Sequence, residues 1–438
     1  MRGLSDLIRD RRGAVLMIFA LALPMLVFAT GMSLDYANAM RIQTRLAAAA
    51  DAAVLTATSR TLMDAPSTVA ERRARDVFRA TAGLIPGLRL DPNAASDLAI
   101  SVSDDTHDGQ YRRATIRFSG WSRTYFGGIL GIAELAVNGS AGSMAKRAPD
   151  IDFYVMLDTS SSMALPTTSA GIALMRAKTK DVDPFNPRGC AFACHQIDPD
   201  KPRLVDRDGK KIDYYQLAHD NGIELRIDAG KRAILDLLGD AQRESRVNGA
   251  TYRFSVSTFD RASDFRNVAP LTDDYALARA GTSAATIIAV DTSQAHFDRQ
   301  TEHEGALHRQ MERMPALGGT GSGQTGDTPQ AYVMLITDGM RDEEINGRQL
   351  GSMIQTACSA IKGRRIKIAI LYTTYQEESV NYHDWSIANI IPLLPMLRPA
   401  LQQCASSDLM FEVGTDGDIS AALGALFQKV IATSRLTD

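Results

Sequence analysis

Residues 152–163 read DFYVMLDTSSSM, and residues 332–339 read YVMLITDG. Each starts as a short apolar run and ends on a carboxylate, Asp158 in the first and Asp338 in the second. An apolar run of this length beside segments of helical periodicity predicts a strand buried on both faces. Tyr252–Phe259, Ile366–Tyr372 and Leu409–Val413 read the same way. The helices expected between them are Asp228–Glu244, Asp273–Val290, His303–Met314, Arg348–Ile361, the proline-containing Ile387–Gln403 and Ile419–Ala432. Strands alternating with helices imply an α/β domain with a mostly parallel sheet, covered by helices on both faces. Ligands of such sheets bind beyond the carboxyl ends of the strands, where Asp158 and Asp338 stand.

The loop after the first strand is Asp158-Thr159-Ser160-Ser161-Ser162. It carries one carboxylate and two hydroxyls on alternate residues, so all three can face one side of a turn. A hard cation such as Mg²⁺, Mn²⁺ or Ca²⁺ takes oxygen donors of this kind. A shell rich in neutral hydroxyls leaves the metal electrophilic, with a position that a partner's carboxylate can fill. Taken alone, the same residues also make a good helix N-cap.

Toward the N-terminus, Gly13–Leu34 (GAVLMIFALALPMLVFATGMSL) carries no charge. At about 1.5 Å per residue a helix of this length crosses a hydrocarbon core, and it exceeds the ~7–15 apolar residues of a cleaved signal. Pro24 is acceptable in such a helix. Arg2, Arg9, Arg11 and Arg12 precede the span and Asp35 follows it. The expected topology is a cytoplasmic segment 1–12, an anchor 13–34 and the bulk of the chain outside the inner membrane. The alanine-rich stretch Asp35–Thr58 continues the helix. Leu98–Val102, Arg113–Trp121 and Ala133–Asn138 read as strands. A helix half in the membrane followed by a few strands, over 35–147, is laid out like a pilin subunit.

Residues 11–57, with their Arg-Gly start, apolar span, Asp35-Tyr36 step and Asp51-Ala-Ala run, resemble the N-terminal segment of TadG-type proteins of the tight-adherence (Flp) pilus system. Pilin-like precursors carry Glu five residues after the cleaved Gly; here Gly13 is followed at that place by Ile18, which departs from a prepilin-peptidase substrate. Residues 151–434 resemble a von Willebrand factor type A domain. That resemblance implies a metal-ion-dependent adhesion site made of Asp158, Ser160, Ser162, a threonine and Asp338. Thr301 fits the family's T-x-x-x-x-A-L ahead of a helix, while Thr320 in Gly318-Gly319-Thr320-Gly321 is the rival. The chain departs from the family by an insertion at about 164–226. Cys190-Ala-Phe-Ala-Cys194-His195, Leu225–Asp228 and Leu371–Tyr375 resemble TadG-type proteins that carry such an insert.

Composition narrows the remainder. The 438 residues hold 48 basic and 51 acidic side chains, a net charge of −3, and 6% aromatics. No chain-wide basic footprint or base-stacking platform for nucleic acid follows from that. In an oxidising compartment the four cysteines are expected as Cys190–Cys194 and Cys358–Cys404. Cys190-x3-Cys194-His195 is one residue longer than a haem attachment motif, leaving haem or zinc as alternatives to a structural bridge. Gly318–Gly326 lacks the Gly-Lys-Ser/Thr of a phosphate loop and reads as a flexible surface loop. His303 is expected to face solvent, and Arg341–Glu344 to be a solvated loop that can tune the metal rim. No nucleophile–base arrangement is visible, and no enzyme is expected. The function these readings imply is a pilus assembly or adhesion protein that binds a protein partner through a divalent cation. The alternatives are a structural pilus-base component with a fold-stabilising metal, or a redox or haem carrier.

Overall fold

The computed structural model describes residues 14–63, 65–104, 111–180, 188–193, 195–196, 204–205, 211–261, 264–290, 301–323, 326–344, 347–375, 377–382 and 384–434. The chain forms two compact units, 1–147 and 148–438. It is a mixed α/β protein with a long apolar N-terminal helix and a parallel-sheet domain.

In the first unit, helix α1 runs from Ala14 to Ala57 with Pro24 inside it. From Val15 to Val27 its large side chains are exposed, and this helix is long and apolar enough to cross a membrane. Beyond Asp35 one stripe only is buried: Ala39, Ile42, Leu46, Ala49, Ala53 and Ala57 recur at three- to four-residue spacing. The stripe packs with α2 (Ser67–Ala82) on an antiparallel sheet of β1 (Leu98–Asp104), β2 (Tyr111–Arg123) and β3 (Glu134–Lys146). Buried and exposed residues alternate along β2, as a strand with one covered face requires. The alanines let helix and sheet approach closely around Ile116, Phe118 and Val137.

The second unit is built on six strands. They are β4 (Ile151–Asp158), β5 (Tyr252–Phe259), β6 (Arg266–Thr272), β7 (Gln330–Thr337), β10 (Lys367–Thr373) and β11 (Met410–Val413). Their order across the sheet is β6-β5-β4-β7-β10-β11, all parallel except the antiparallel edge strand β6. Every residue of β4 and β7 is buried. Phe153, Val155 and Leu157 face one core, beneath α4 (Arg226–Asn248) and α9 (Ile419–Ser434). Tyr154 and Met156 face the other, beneath α6 (His303–Met311), α7 (Thr356–Gly363) and α8 (Leu394–Cys404). A disulfide joins Cys358 in α7 to Cys404 at the end of α8, with a Cα separation of 5.2 Å. The pairing Cys190–Cys194 falls on Cys194, which lies outside the described residues.

Several expected boundaries are corrected. Only Tyr275–Ser283 of the stretch Asp273–Val290 is helical (α5). Asp274 caps its start, and the chain then crosses the end of the sheet, where Ile288 N–H donates to the Thr159 carbonyl at 2.9 Å. Arg341–Glu344 is no solvated loop: it is strand β8, paired with β9 (Arg348–Gly351) in a hairpin. The turn holds Gly347 at φ 99°, a left-handed conformation that suits glycine. Arg348 grips Asp342 across the hairpin by two hydrogen bonds. Helix α7 therefore begins at Thr356 and not at Arg348. Ile387–Gln403 is broken, a 3₁₀ turn over Ile391–Leu393 preceding α8, because Pro392 and Pro395 fit only first-turn positions. Within the expected insertion, helix α3 spans Ser169–Thr179, capped by the Thr168 hydroxyl.

Candidate metal centre

Strands β4 and β7 are adjacent and parallel, with Leu157 opposite Ile336. Both therefore deliver their terminal carboxylates to the same end of the sheet. Asp158 and Asp338 are each 0% exposed. The Asp158 side chain accepts from Ser160 N–H at 2.9 Å and from the Thr337 hydroxyl at 2.6 Å. The Ser160 and Ser162 hydroxyl oxygens lie 3.1 Å apart. The Ser162 side chain also hydrogen-bonds to Asp338, which ties the loop after β4 to the end of β7. Asp338 accepts from Met340 N–H at 3.2 Å through Oδ1. Its Oδ2 is buried without a hydrogen-bond partner. Thus Asp158, Ser160, Ser162 and Asp338, four of the expected residues, stand together.

Thr301 lies at this end of the sheet too. It is buried, two residues before α6, and bridges to Asp342 just after β7. Its neighbour Glu302 donates from its N–H to the carbonyl of Asp260, which follows β5. Thr320 is elsewhere. Its N–H and hydroxyl both donate to Asp327, and Gly321 beside it accepts from Asp150 N–H ahead of β4. That is the amino end of the sheet, about 26 Å from Asp158 along a strand of this length. The structure therefore removes Thr320 as a ligand. Residues 318–323 of the expected Gly318–Gly326 loop are held in place, since Ser322 is buried and donates to Asp327 from both N–H and hydroxyl.

Four residues at the site were not assigned to it from sequence. His303 is buried, not solvent-facing: its Nε2 is 2.9 Å from the Thr337 hydroxyl and 3.9 Å from Asp158 Oδ2. Burial, with the Arg341 charge added, pushes its imidazole down to about 3, so the ring is neutral. Arg226, the first residue of α4, is buried with Nη1 3.6 Å from Asp338 Oδ2 and lies over the Tyr375 ring. Its Nη2 donates to the Thr374 carbonyl. Thr337 orients Asp158. Asp260 is a third buried strand-end carboxylate, accepting from the Thr159 hydroxyl at 3.1 Å. It follows β5 as Asp338 follows β7, so the strand-end rule would have found it.

The electrostatics follow from burial. Loss of hydration pushes the Asp158 carboxyl above its ordinary 3.8, and the nearby Asp338 charge adds to that. Burial also raises Asp338, opposed by Arg226. Two carboxylates enclosed together resist joint ionisation unless positive charge is supplied. Arg226 supplies one charge; the orphaned Oδ2 and the paired hydroxyls leave oxygen donors for a further cation. The set fits a hard divalent ion held by few carboxylates. Among the described residues no group of three His, Cys, Asp or Glu side chains forms a metal cluster.

No family model matches the chain, and no curated protein matches it. Solved structures do. The conserved hypothetical protein BatB from Bacteroides thetaiotaomicron is 16% identical, with 66% of this chain and 100% of that chain covered and a TM-score of 0.34. Proximal thread matrix protein 1 from the mussel byssus, with a zinc-occupied MIDAS motif, is 15% identical over 65% of this chain and 48% of its own, TM-score 0.33. The vWF domain of the type V pili tip protein Mfa5 from Porphyromonas gingivalis is 12% identical over 66% of this chain and 96% of its own, TM-score 0.32.

Proposed function

We propose that this chain is a membrane-anchored pilus assembly or adhesion protein of the TadG type. In this reading it engages a protein partner through a divalent cation, Mg²⁺ first among the candidates, bound by Asp158, Ser160, Ser162, Thr301 and Asp338. The observation that carries the metal is the buried Asp338 Oδ2, left without a hydrogen bond beside a pair of hydroxyls 3.1 Å apart. A buried acceptor without a hydrogen bond costs about 1–3 kcal/mol; Arg226 Nη1 at 3.6 Å offsets part of that cost, and a cation can offset the rest. The pilus setting rests on the resemblance of residues 11–57 and of the Cys190–His195 motif. In this reading residues 13–34 are the anchor and residues 35–438 lie outside the inner membrane, and no catalytic step is assigned. Isothermal titration of the detergent-solubilised full chain with MgCl₂ and MnCl₂ tests the metal. Saturable binding that Asp158→Ala removes is expected; no heat with either ion overturns it. Cross-linking in the producing cell, with and without chelator, then tests the partner.

The enclosure of both carboxylates favours one second reading. With Asp158 and Asp338 fully buried, a cation there can serve the fold alone, as in a structural pilus-base component. Chelation that lowers Tm but leaves the cross-linked partners unchanged selects this reading.

A further inference from the structure

The hairpin connection between β2 and β3 contains Tyr125-Phe126-Gly127-Gly128-Ile129-Leu130-Gly131-Ile132-Ala133, with charged residues only at its flanks, Arg123 and Glu134. Surface turns of this kind ordinarily carry polar residues. Here Tyr125 is 75% exposed and Ile129 69%, and Leu130 and Ile132 are exposed as well. The loop is nevertheless fixed. Asp35 is buried and accepts three backbone N–H groups from it: Tyr125 at 2.7 Å, Phe126 at 2.9 Å and Gly127 at 2.8 Å. Burial raises the Asp35 carboxyl and the three N–H groups outweigh it, so the group stays ionised below its ordinary 3.8. One turn earlier on α1, Gly31 meets the Phe126 ring; a Cβ there would stand 2.6 Å from its Cγ.

These contacts fix the level of the loop. Gly31–Leu34 is the last turn of the uncharged stretch of α1, and Asp35 follows it directly. The opposite end of the same sheet is placed by the Thr58 hydroxyl, 2.8 Å from the Ser143 hydroxyl. The hairpin tip therefore stands at the end of the sheet nearest the apolar part of α1, against Gly31 and Asp35, one turn from its exposed stretch Val15 to Val27. An exposed apolar loop with a tyrosine at its root is the composition that favours a headgroup–acyl boundary.

We propose that the Tyr125–Ile132 loop is a second membrane contact, dipping Ile129, Leu130 and Ile132 into the outward leaflet beside α1. Asp35 and Gly31 hold it there, and it sets the angle at which the first unit leaves the bilayer. The proposal rests on α1 spanning that bilayer. It is tested on the full chain in liposomes of phosphatidylethanolamine and phosphatidylglycerol, with and without brominated acyl chains. Single substitutions Ile129→Trp, Val27→Trp and Met144→Trp report depth by quenching, each corrected for native Trp121 and Trp385. Val27 lies in the span, and Met144, paired with Arg113, lies toward the far end of the sheet. Added fluorescence at 129 and 27 is expected to fall at least about twofold in brominated lipid while that at 144 is unchanged. Quenching at 27 but not at 129 overturns the loop contact and leaves the anchor standing. Quenching at neither overturns both. A blue-shifted, unquenched signal at 129 that depends on protein density identifies a second copy on the loop and also overturns the proposal.

Discussion

Arg226→Met is the substitution that most sharply tests the electrostatics of the site. Its Nη1 is 3.6 Å from Asp338 Oδ2, and both groups are buried. At an effective dielectric constant near 20 that separation corresponds to about 5 kcal/mol of attraction, part of which offsets desolvation. Methionine keeps the aliphatic stem, loses the guanidinium over Tyr375 and leaves two enclosed carboxylates without their fixed counter-charge. Removing one partner of such a pair costs about 3–5 kcal/mol, which corresponds to a fall in Tm of about 10 °C for a unit of this size. A divalent cation beside Asp338 would feel the guanidinium as repulsion. Without it, Mg²⁺ should bind at least about tenfold more tightly, equivalent to about 1.4 kcal/mol. The measurement is thermal melting of the full chain in detergent, in chelator and in millimolar Mg²⁺, with titration calorimetry beside it. The expected pattern is a large loss in chelator that Mg²⁺ largely restores, with Arg226→Lys close to wild type in both. A folded Arg226→Met variant as stable as wild type in chelator, or one binding Mg²⁺ more weakly, would refute the reasoning.

Other outcomes follow from the same geometry. Asp158→Ala and Thr301→Ala should weaken Mg²⁺ binding, measured by calorimetry, while Thr320→Ala should leave it unchanged; the reverse order would reinstate the rejected threonine. Asp158 and Asp338 both have folded values above 3.8. Raised acids stabilise the fold below their unfolded value and lose that contribution as pH climbs through the folded one. The metal-free protein should therefore lose stability from about pH 4 toward neutrality, and the gain in Tm on adding Mg²⁺ should be larger at about pH 7.5 than at about pH 5. The Cys358–Cys404 bridge has a sequence separation of 46, for which chain entropy gives about 4 kcal/mol as an upper figure. Urea unfolding with and without reductant should show a loss of about 2–4 kcal/mol. Phe153→Ala, which removes a ring stacked 4.9 Å from Phe254 in the sheet core, should cost about 3–5 kcal/mol in the same assay.

Much of this was legible because the deciding residues act locally. DFYVML and YVMLIT hold their strands whatever surrounds them, since a short apolar run can be satisfied only by burial on both faces. The two carboxylates then meet at one end because adjacent parallel strands present their carboxyl ends together. The hairpin at Arg341–Gly351 was misread because its charges pair with one another: Asp342 with Arg348, and Glu343 with Arg341. A charge run looks solvated when its partners are a few residues away and across a turn. His303 was misread for the opposite reason. It opens a helix, where polar residues ordinarily face water, and only the approach of β7 beneath that helix gives its Nε2 the Thr337 hydroxyl.

Arg226 and Asp35 show what sequence reading could not reach. Each is a single charge on a helix, Arg226 at the first residue of α4 and Asp35 within α1, where its bland reading is a side chain in water. Their partners are distant in the chain: Asp338 and Thr374 for Arg226, and Tyr125 to Gly127 for Asp35. Burying an unpartnered charge is too costly for either to be incidental, so each must be answered where it stands. The answers differ in kind. Asp35 is satisfied by three N–H groups and needs nothing more, which makes it a rigid fastening. Arg226 faces two carboxylates with one charge and leaves an acceptor orphaned, so its end of the sheet remains short of positive charge. That deficit is what a divalent cation would fill, and it is why the site, rather than the fastening, is where binding is to be sought.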